Sequence, residues 1–306
     1  MTTSLIKSTR NTPWKGVTGG GNFGQRFLFG LFRILDVRVG YFFVALTVPF
    51  YMLINRSNYK AIRSYLRMRC GQSPWRSFWG TWRNHYVFGQ MMMDRFAIFS
   101  GQKDRFTVTN PDAALFQHRI ESPQGFMIAG THAGNFEIAG YLLHQEKKRI
   151  HSVIFGGENA GLQANRAHVL AQNSVEMIPV QDDMSHLFAI KAALDNGQIV
   201  SMPCDRLFGS PRYVTCTFMG APARFPLGPF LLAAQLDVPM LVLLAMKERR
   251  AHYHIYVKEI QVDRAAFKGS KNTAAALAQQ YAFEVEKVLK QYPEQWFNFY
   301  NFWENA

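Results

Sequence analysis

The sequence predicts an α/β fold with a mostly parallel central sheet and helices on both faces, preceded by a basic, aromatic-rich helical region. Beyond residue 105, short apolar runs alternate with helical patterns. Before it, basic and aromatic residues are concentrated. With 306 residues, 48% of them hydrophobic, the chain is long enough to bury a sizeable core.

The alternating part predicts a series of strands and connecting helices. The predicted strands are 105–109, 125–130, 152–155, 175–180, 199–202 and 240–246. The predicted intervening helices are 111–118, 136–143, 162–172, 185–195 and 228–236. Segments 213–219 and 252–260 alternate more clearly and are expected to pair near an edge, and a last amphipathic helix, 272–292, ends before Pro293.

The charge divides the chain into two parts, 1–105 and 106–306. The first contains 16 basic and three acidic residues, a formal charge of +13, and the second has 18 of each. Such a basic region indicates an anionic partner, which is a nucleic acid, an acidic carrier protein or an anionic membrane surface.

Aromatic residues favour the membrane among these partners. Six of them, interleaved with Arg76, Arg83 and His85, suit the boundary between lipid headgroups and acyl chains: Trp75, Phe78, Trp79, Trp82, Tyr86 and Phe88. We therefore expect contact with an anionic membrane surface and no nucleic acid partner. The longest uncharged run, 39–55, contains Pro49 and leaves three readings open: a transmembrane helix, an interfacial or re-entrant hairpin, and a buried core helix.

The cysteines and the amino terminus bear on location. Cys70, Cys204 and Cys216 are widely spaced, which favours a reducing compartment over a disulfide framework. The first 25 residues lack the apolar core of a secretory signal. The expected location is the cytoplasmic face of the inner (cytoplasmic) membrane.

Segment 126–140, FMIAGTHAGNFEIAG, carries the strongest chemical signal. His132 follows an apolar strand, at the edge of an α/β sheet where ligands gather. Glu137 would lie in the first turn of the next helix, from where its carboxylate can reach Nδ1 of the imidazole. Nε2 could then remove a proton from an acceptor hydroxyl or amine, which would attack a thioester while donors near the helix start stabilise the oxyanion. The alternative is an ordinary histidine at a strand end, with Glu137 at a helix N-terminus.

The H-x4-E pattern after a buried strand, with Gly-Asn inside it, resembles the lysophospholipid acyltransferase superfamily. THAGNFE looks like the motif of the bacterial lipid A late acyltransferases of the lauroyl/myristoyl-transferase type. The similarity extends from about residue 106 through segment 199–228 to the Tyr-Pro-Glu-Gln-Trp sequence at 292–296.

The resemblance implies transfer of a fatty acyl group from acyl carrier protein, or from coenzyme A, to a hydroxyl or amine of a lipid-like acceptor. It requires no cofactor and no metal. It implies that His132 and Glu137 are catalytic and that Asp205 and Arg206 line the site. Asn135, inside the motif, is expected to bind substrate, and Arg166 falls where its planar guanidinium could hold a phosphate.

One departure concerns the acceptor. The family's ending is basic, whereas this chain continues WFNFYNFW from residue 296, which leaves an amino-lipid, a glycerol lipid or a polyene pigment precursor open as acceptors. A rival outside enzymes is a membrane-binding scaffold that keeps the fold without activity.

Two weaker motifs are rejected. Gly19-x-Gly21-x-x-Gly24 matches a dinucleotide fingerprint but follows no strand. His252 and His254 share one face of a predicted strand, but no nearby carboxylate or cysteine is expected to complete a metal site.

Overall fold

A computed structural model describes residues 36–135, 138, 147–155, 175–181, 183–207 and 212–303. It confirms the α/β class with a mostly parallel seven-stranded sheet. The described α-helices are α1 Val37–Ile54, α2 Arg56–Met68, α3 Pro74–Phe99, α4 Ala113–Glu121, α5 Ser185–Asp195, α6 Leu227–Leu236 and α7 Ser270–Gln291. The strands are β1 Thr107–Thr109, β2 Phe126–Gly130, β3 Ile150–Phe155, β4 Val175–Val180, β5 Ile199–Pro203, β6 Tyr213–Phe218, β7 Ala221–Pro226, β8 Met240–Arg249 and β9 His252–Glu259.

The main sheet has the strand order β1-β9-β8-β2-β5-β3-β4. Every neighbouring pair is parallel except β8 and β9, which form an antiparallel pair. Its central strands are covered on both faces, as their continuous apolar sequences predict: β2 is buried from Phe126 to Ala129, and β8 from Met240 to Lys247. Two separate clusters of buried hydrophobic residues contain side chains from the central strands.

One predicted pairing is wrong. Strand β6 does not pair with the 252–260 segment but forms a separate hairpin with β7, a strand that was not predicted. The hairpin turn consists of Met219 and Gly220, both with positive φ, at 51° and 76°. A two-residue turn of this kind joins antiparallel neighbours, but methionine rarely occupies its first position, so the sequence signal is weak. The predicted helices 136–143 and 162–172 fall on residues outside the described ones, Ile138 excepted.

The helices before the sheet pack on one another. Helix α1 lies against α3 at Gly89, where an added Cβ would collide with the Val44 side chain. The face of α1 that packs consists of Val37, Gly40, Tyr41, Val48 and Met52. The opposite face exposes large hydrophobic side chains: Phe42, Phe43, Leu46, Phe50, Leu53 and Ile54.

Among the described helices, α1 alone is both long and apolar enough to cross a bilayer, with 18 residues and a mean hydropathy of 1.7. Its exposed side disfavours the buried core helix among the three readings of this segment. Length and composition alone do not separate a spanning helix from an interfacial one. The domain division at residue 105 stays a prediction.

Candidate active site

The register of the sheet brings His132 and Asp205 together. Strands β2 and β5 are parallel neighbours in which Gly130 is paired with Pro203, the last residue of each strand. The ladder continues past that pair, because Cys204 N donates to the Gly130 carbonyl at 2.9 Å. His132 and Asp205 each lie two residues beyond the paired ends, so both side chains emerge at the carboxyl edge of the sheet, where ligands bind in open α/β folds.

Asp205 accepts three hydrogen bonds from the turn that follows β2. The His132 imidazole Nδ1 lies 2.7 Å from Oδ1, the His132 amide donates to Oδ2 at 2.7 Å, and the Thr131 hydroxyl donates to Oδ2 at 3.0 Å. The Asp205 side chain is 4% exposed and that of His132 is 20% exposed. The carboxylate therefore orients the ring from the protein interior, and the ring remains reachable from solvent.

The electrostatics agree with a charged carboxylate. Burial alone would raise the pKa of Asp205, but the charge of His132, the hydrogen bond from its ring and the charge of Arg206 outweigh it and lower this pKa to about 2. Asp205 is thus an anion across the physiological pH range. An anion at Nδ1 favours the tautomer that carries its proton there, so Nε2 is the nitrogen able to accept a proton.

Residues from the carboxyl-terminal part of the chain hold the loop 131–135 from the other side. The Phe297 amide donates to the His132 carbonyl at 2.9 Å, and the Gly134 amide donates to the Gln295 carbonyl at 2.8 Å. Ala133 and Trp296 form an antiparallel bridge between these two bonds. The tail segment, residues 293–303, is therefore part of the site's framework, a role that the sequence did not predict.

Two side chains hold the tail segment in turn. Gln295 donates through Nε2 to the Lys247 carbonyl at 2.7 Å and accepts from the Lys247 amide at 2.8 Å, which joins the tail to β8. Asn84 of α3 donates through Nδ2 to the carbonyls of Glu294 and Trp296, at 2.9 and 2.8 Å. Each is a buried amide that satisfies main-chain groups.

Gly134 makes the loop's close approach to β8 feasible. Its φ is +62°, a conformation that glycine adopts without penalty. A Cβ there would collide with the Ala245 carbonyl oxygen and lie 2.7 Å from Met246 Sδ. The small residue in the sequence motif is therefore required both by backbone conformation and by space.

Asn135 was expected to bind substrate, but its side chain is buried and bonded within the protein. Nδ2 lies 3.3 Å from the Tyr253 hydroxyl, and Oδ1 accepts from the Ile138 amide at 3.3 Å, as in a helix N-cap. The Asn135 amide donates to the Ala245 carbonyl at 2.7 Å. These contacts give the side chain a structural role, and its predicted contact with substrate stays a prediction.

Arg206 reaches the tail segment as well. Its Nη2 donates to the Phe297 carbonyl at 2.8 Å, and its Nε is buried with no hydrogen-bond partner in the described part of the chain. The guanidinium is thus fixed beside Asp205 with donor capacity remaining. This placement fits the predicted site-lining role of Arg206, which stays a prediction.

Two predicted site residues, Glu137 and Arg166, lie outside the described residues. Their roles remain predictions. At Nδ1 of His132, where the carboxylate of Glu137 was expected, the structure places Asp205. Asp205 was predicted to line the site, but no sequence pattern indicates its bond to His132, because that contact depends on β2 and β5 being neighbours.

Two other catalytic groups, the oxyanion donors and a cysteine nucleophile, are restricted by the same geometry. The amides of His132, Gly134 and Asn135 all donate within the protein, so the expected oxyanion donors must be other groups. Cys204 is fully buried, and burial raises the pKa of its thiol well above the ordinary value. It is unsuited to act as a nucleophile.

The two histidines of β9 require a correction. Glu248 lies 3.4 Å from a ring nitrogen of both His252 and His254, although no nearby carboxylate was expected. The His252 ring is also within hydrogen-bonding distance of the Thr107 and Thr109 hydroxyls, at 2.7 and 3.1 Å. Within the described ranges, no group of three or more His, Cys, Asp or Glu residues is arranged to hold a metal ion.

Comparison with known proteins shows the family to which the chain belongs. No curated protein matches the sequence significantly. The model of one family, described as bacterial lipid A biosynthesis acyltransferase, matches residues 85–305. The match contains α4 to α7, the sheet, the His132 loop and the whole tail segment. The chain therefore belongs to the bacterial lipid A biosynthesis acyltransferase family.

Proposed function

We propose that the protein transfers a fatty acyl group from the thioester of acyl carrier protein, or less favourably of coenzyme A, to a hydroxyl or amine of a lipid-like acceptor. His132 is the general base. The observation that carries this proposal is the 2.7 Å contact between His132 Nδ1 and the buried Asp205 carboxylate, which orients an accessible imidazole at the carboxyl edge of the sheet.

The reaction follows from the orientation of the ring. Nε2 removes the proton from the acceptor O–H or N–H as that atom attacks the thioester carbonyl carbon. The carbon–sulfur bond then breaks, and the departing thiolate receives the proton from the imidazolium. Asp205 stabilises the imidazolium. Glu137, which H-x4-E predicts as the catalytic partner of His132, adds a second carboxylate. No covalent acyl-enzyme is needed.

We assign the acceptor and donor phosphate contacts to Arg206 and Arg166. Arg206 is supported by its guanidinium, which the Phe297 carbonyl fixes next to Asp205. An arginine held in this way suits an anionic oxygen of a substrate. Arg166 rests on the family resemblance alone.

The amino-terminal helices supply the membrane contact in this proposal. Phe50 of α1 and Trp75 of α3 are 68% and 69% exposed, and aromatic rings continue along α3 in a row: Phe78, Trp79, Trp82 and Tyr86. Exposed basic residues lie in the neighbouring helices α2 and α3: Arg56, Lys60, Arg67, Arg76 and Arg83. Aromatic rings and cations together suit an anionic lipid surface.

The same charge would attract an acidic carrier protein, which favours acyl carrier protein over coenzyme A as donor. Residues 1–105 would then serve membrane association, and residues 106–306 would carry the reaction, at the cytoplasmic face of the inner membrane. The family is membrane-associated, in agreement with this arrangement.

A transfer assay tests the proposal. Purified protein in mixed micelles is incubated with radiolabelled acyl carrier protein thioester or acyl coenzyme A and with membrane lipids of the producing organism. The variant is His132→Ala, and the matched control is His254→Ala, whose side chain is 21% exposed compared with 20% for His132.

We expect labelled lipid from the wild type and from His254→Ala, and none from His132→Ala. The mass of the product identifies the acceptor and separates lipid A from an amino-lipid, a glycerol lipid or a pigment precursor. Transfer that survives in His132→Ala would contradict the mechanism. A lack of transfer from both donors in the wild type would favour the scaffold reading.

A further inference from the structure

A buried ion pair lies between the amino-terminal helices and the sheet. Asp94 of α3 and Lys247 of β8 face each other with Nζ 2.5 Å from Oδ2, and their side chains are 0% and 3% exposed. Removing two charges from water is costly, and the mutual attraction of the ions can fail to offset that cost. An ion pair at this depth is therefore weak evidence for stability and calls for another explanation.

Two tyrosines complete the cluster, one on each side. Tyr41 of α1 and Tyr253 of β9 both donate their hydroxyl to the Asp94 carboxylate. Lys247 Nζ lies 4.9 Å from the centre of the Tyr41 ring and 5.0 Å from the centre of the Tyr253 ring. Both phenols therefore bind the ion pair, and Lys247 Nζ also donates to the Tyr41 hydroxyl at 3.0 Å.

Their other contacts differ. The Tyr253 hydroxyl lies 3.3 Å from Asn135 Nδ2, at the end of the His132 loop. The Tyr41 hydroxyl instead lies 3.3 Å from the Arg250 carbonyl, and Tyr41 belongs to the packed face of α1. One side of the cluster faces the candidate active site, and the other faces the helix with the exposed apolar surface.

Asn135 connects this cluster to the loop that carries His132. Its amide is bonded to the Ala245 carbonyl, two residues before Lys247 in β8, and its Oδ1 accepts from Ile138 at the helix start. His132 lies three residues before Asn135, and Glu137 lies two residues after it. A shift of the Asn135 side chain therefore displaces the end of the His132 loop.

We propose that Tyr253, fixed by the Asp94–Lys247 ion pair, is a positioning residue that sets the end of the His132 loop through Asn135, whereas Tyr41 fixes α1 to the same ion pair. The effect on turnover rests on the proposed function, and the effect on loop geometry does not. The cluster joins the membrane-facing helix and the reacting loop through one buried carboxylate.

The matched pair Tyr253→Phe and Tyr41→Phe tests this assignment, because each removes one buried hydroxyl bonded to Asp94. The first readout is amide hydrogen exchange of the full-length protein in mixed micelles. We expect faster exchange at Gly134 and Asn135 in Tyr253→Phe and an unchanged loop in Tyr41→Phe, where α1 exchanges faster instead. Asn135→Ala breaks the same contact from the loop side and should reproduce the loop effect if Tyr253→Phe fails to fold.

The second readout is steady-state transfer from acyl carrier protein thioester. Because a misplacement of about 1 Å can cost roughly a hundredfold in rate, we expect kcat of Tyr253→Phe to fall by about 10- to 100-fold with KM for the donor little changed. Tyr41→Phe should keep kcat within about threefold of the wild type, a change of less than 1 kcal/mol.

Loop exchange that is unchanged in Tyr253→Phe, or equally accelerated in both variants, would overturn the proposal, as would equal losses of kcat. A wild type without transfer activity would refute the proposed function instead, and the exchange data would still decide the positioning role.

Discussion

The substitution Asp205→Asn is the sharpest test of the candidate active site. It preserves size and shape but replaces an acceptor-only carboxylate with an amide that has one acceptor and one donor. The wild-type carboxylate accepts from the Thr131 hydroxyl, the His132 amide and the His132 ring. The asparagine carbonyl oxygen can serve the first two donors, which turns the NH₂ group towards Nδ1.

That arrangement changes the imidazole. An N–H donor facing Nδ1 stabilises the tautomer protonated on Nε2, which cannot accept the acceptor's proton. The charge effect adds to it, since the pKa of Asp205 is lowered to about 2 by His132 and Arg206 against the effect of burial. A pKa lowered by this amount corresponds to about 2.5 kcal/mol in favour of the charged carboxylate, or a factor of roughly 60 in its protonation equilibrium. With the wrong tautomer included, we expect kcat to fall by about 10³- to 10⁴-fold.

The assay is the mixed-micelle transfer reaction, with kcat and KM for the acyl donor measured for Asp205→Asn, Glu137→Gln and the wild type. Circular dichroism and the thermal midpoint check that Asp205→Asn is folded. A kcat for Asp205→Asn within a few-fold of the wild type, while His132→Ala is inactive, would refute the orienting role of Asp205. In that case an inactive Glu137→Gln would assign the role to Glu137.

Three further predictions concern stability and membrane binding. Gly134→Ala should lower the free energy of unfolding by more than Gly220→Ala. Both glycines have positive φ, where alanine costs about 1–2 kcal/mol, but only a Cβ at Gly134 meets the Ala245 carbonyl. Equal losses in denaturant titrations would contradict this. Because the pKa of Asp205 is lowered to about 2, its charged form stabilises the fold above the ordinary aspartate pKa, and this stabilisation is lost as pH falls towards 2. Between roughly pH 5 and pH 2, the free energy of unfolding of the wild type should therefore fall by about 2 kcal/mol more than that of Asp205→Asn. Parallel acid-unfolding curves would argue against this. Trp75→Ala should weaken binding to anionic vesicles about tenfold in a sedimentation assay, whereas Phe188→Ala, which removes a 77% exposed ring from α5, should not; equal effects would remove the case for a specific membrane surface.

The strands and helices were largely predictable because their signals are local. The continuous apolar runs of β2 and β8 indicated strands buried on both faces, and the predicted bounds 175–180 and 185–195 coincide with β4 and α5. The hairpin of β6 and β7 was missed because Met219-Gly220 is an unusual turn sequence.

The site was predictable only in part. His132 was found because it follows a strand within a motif, but its bond to Asp205 depends on which strands are neighbours and on their register. The Asp94–Lys247 pair joins residues 153 positions apart and has no local signal at all. The contact between Asn135 and Tyr253 likewise joins residues far apart in sequence and has no local signal, and the predicted substrate contact of Asn135 stays a prediction.

The tail segment also constrains the order in which the molecule can be assembled. Phe297 and Gln295 supply the backbone groups that hold His132 and Gly134, and they leave the ribosome long after the loop does. Contacts between residues so far apart in sequence form late, because closing the long intervening loop costs entropy before any contact repays it. The reactive geometry at His132 therefore cannot be completed while the chain is still being elongated through the sheet. Synthesis of residues 295–297 thus sets the earliest moment at which the proposed active site can be complete.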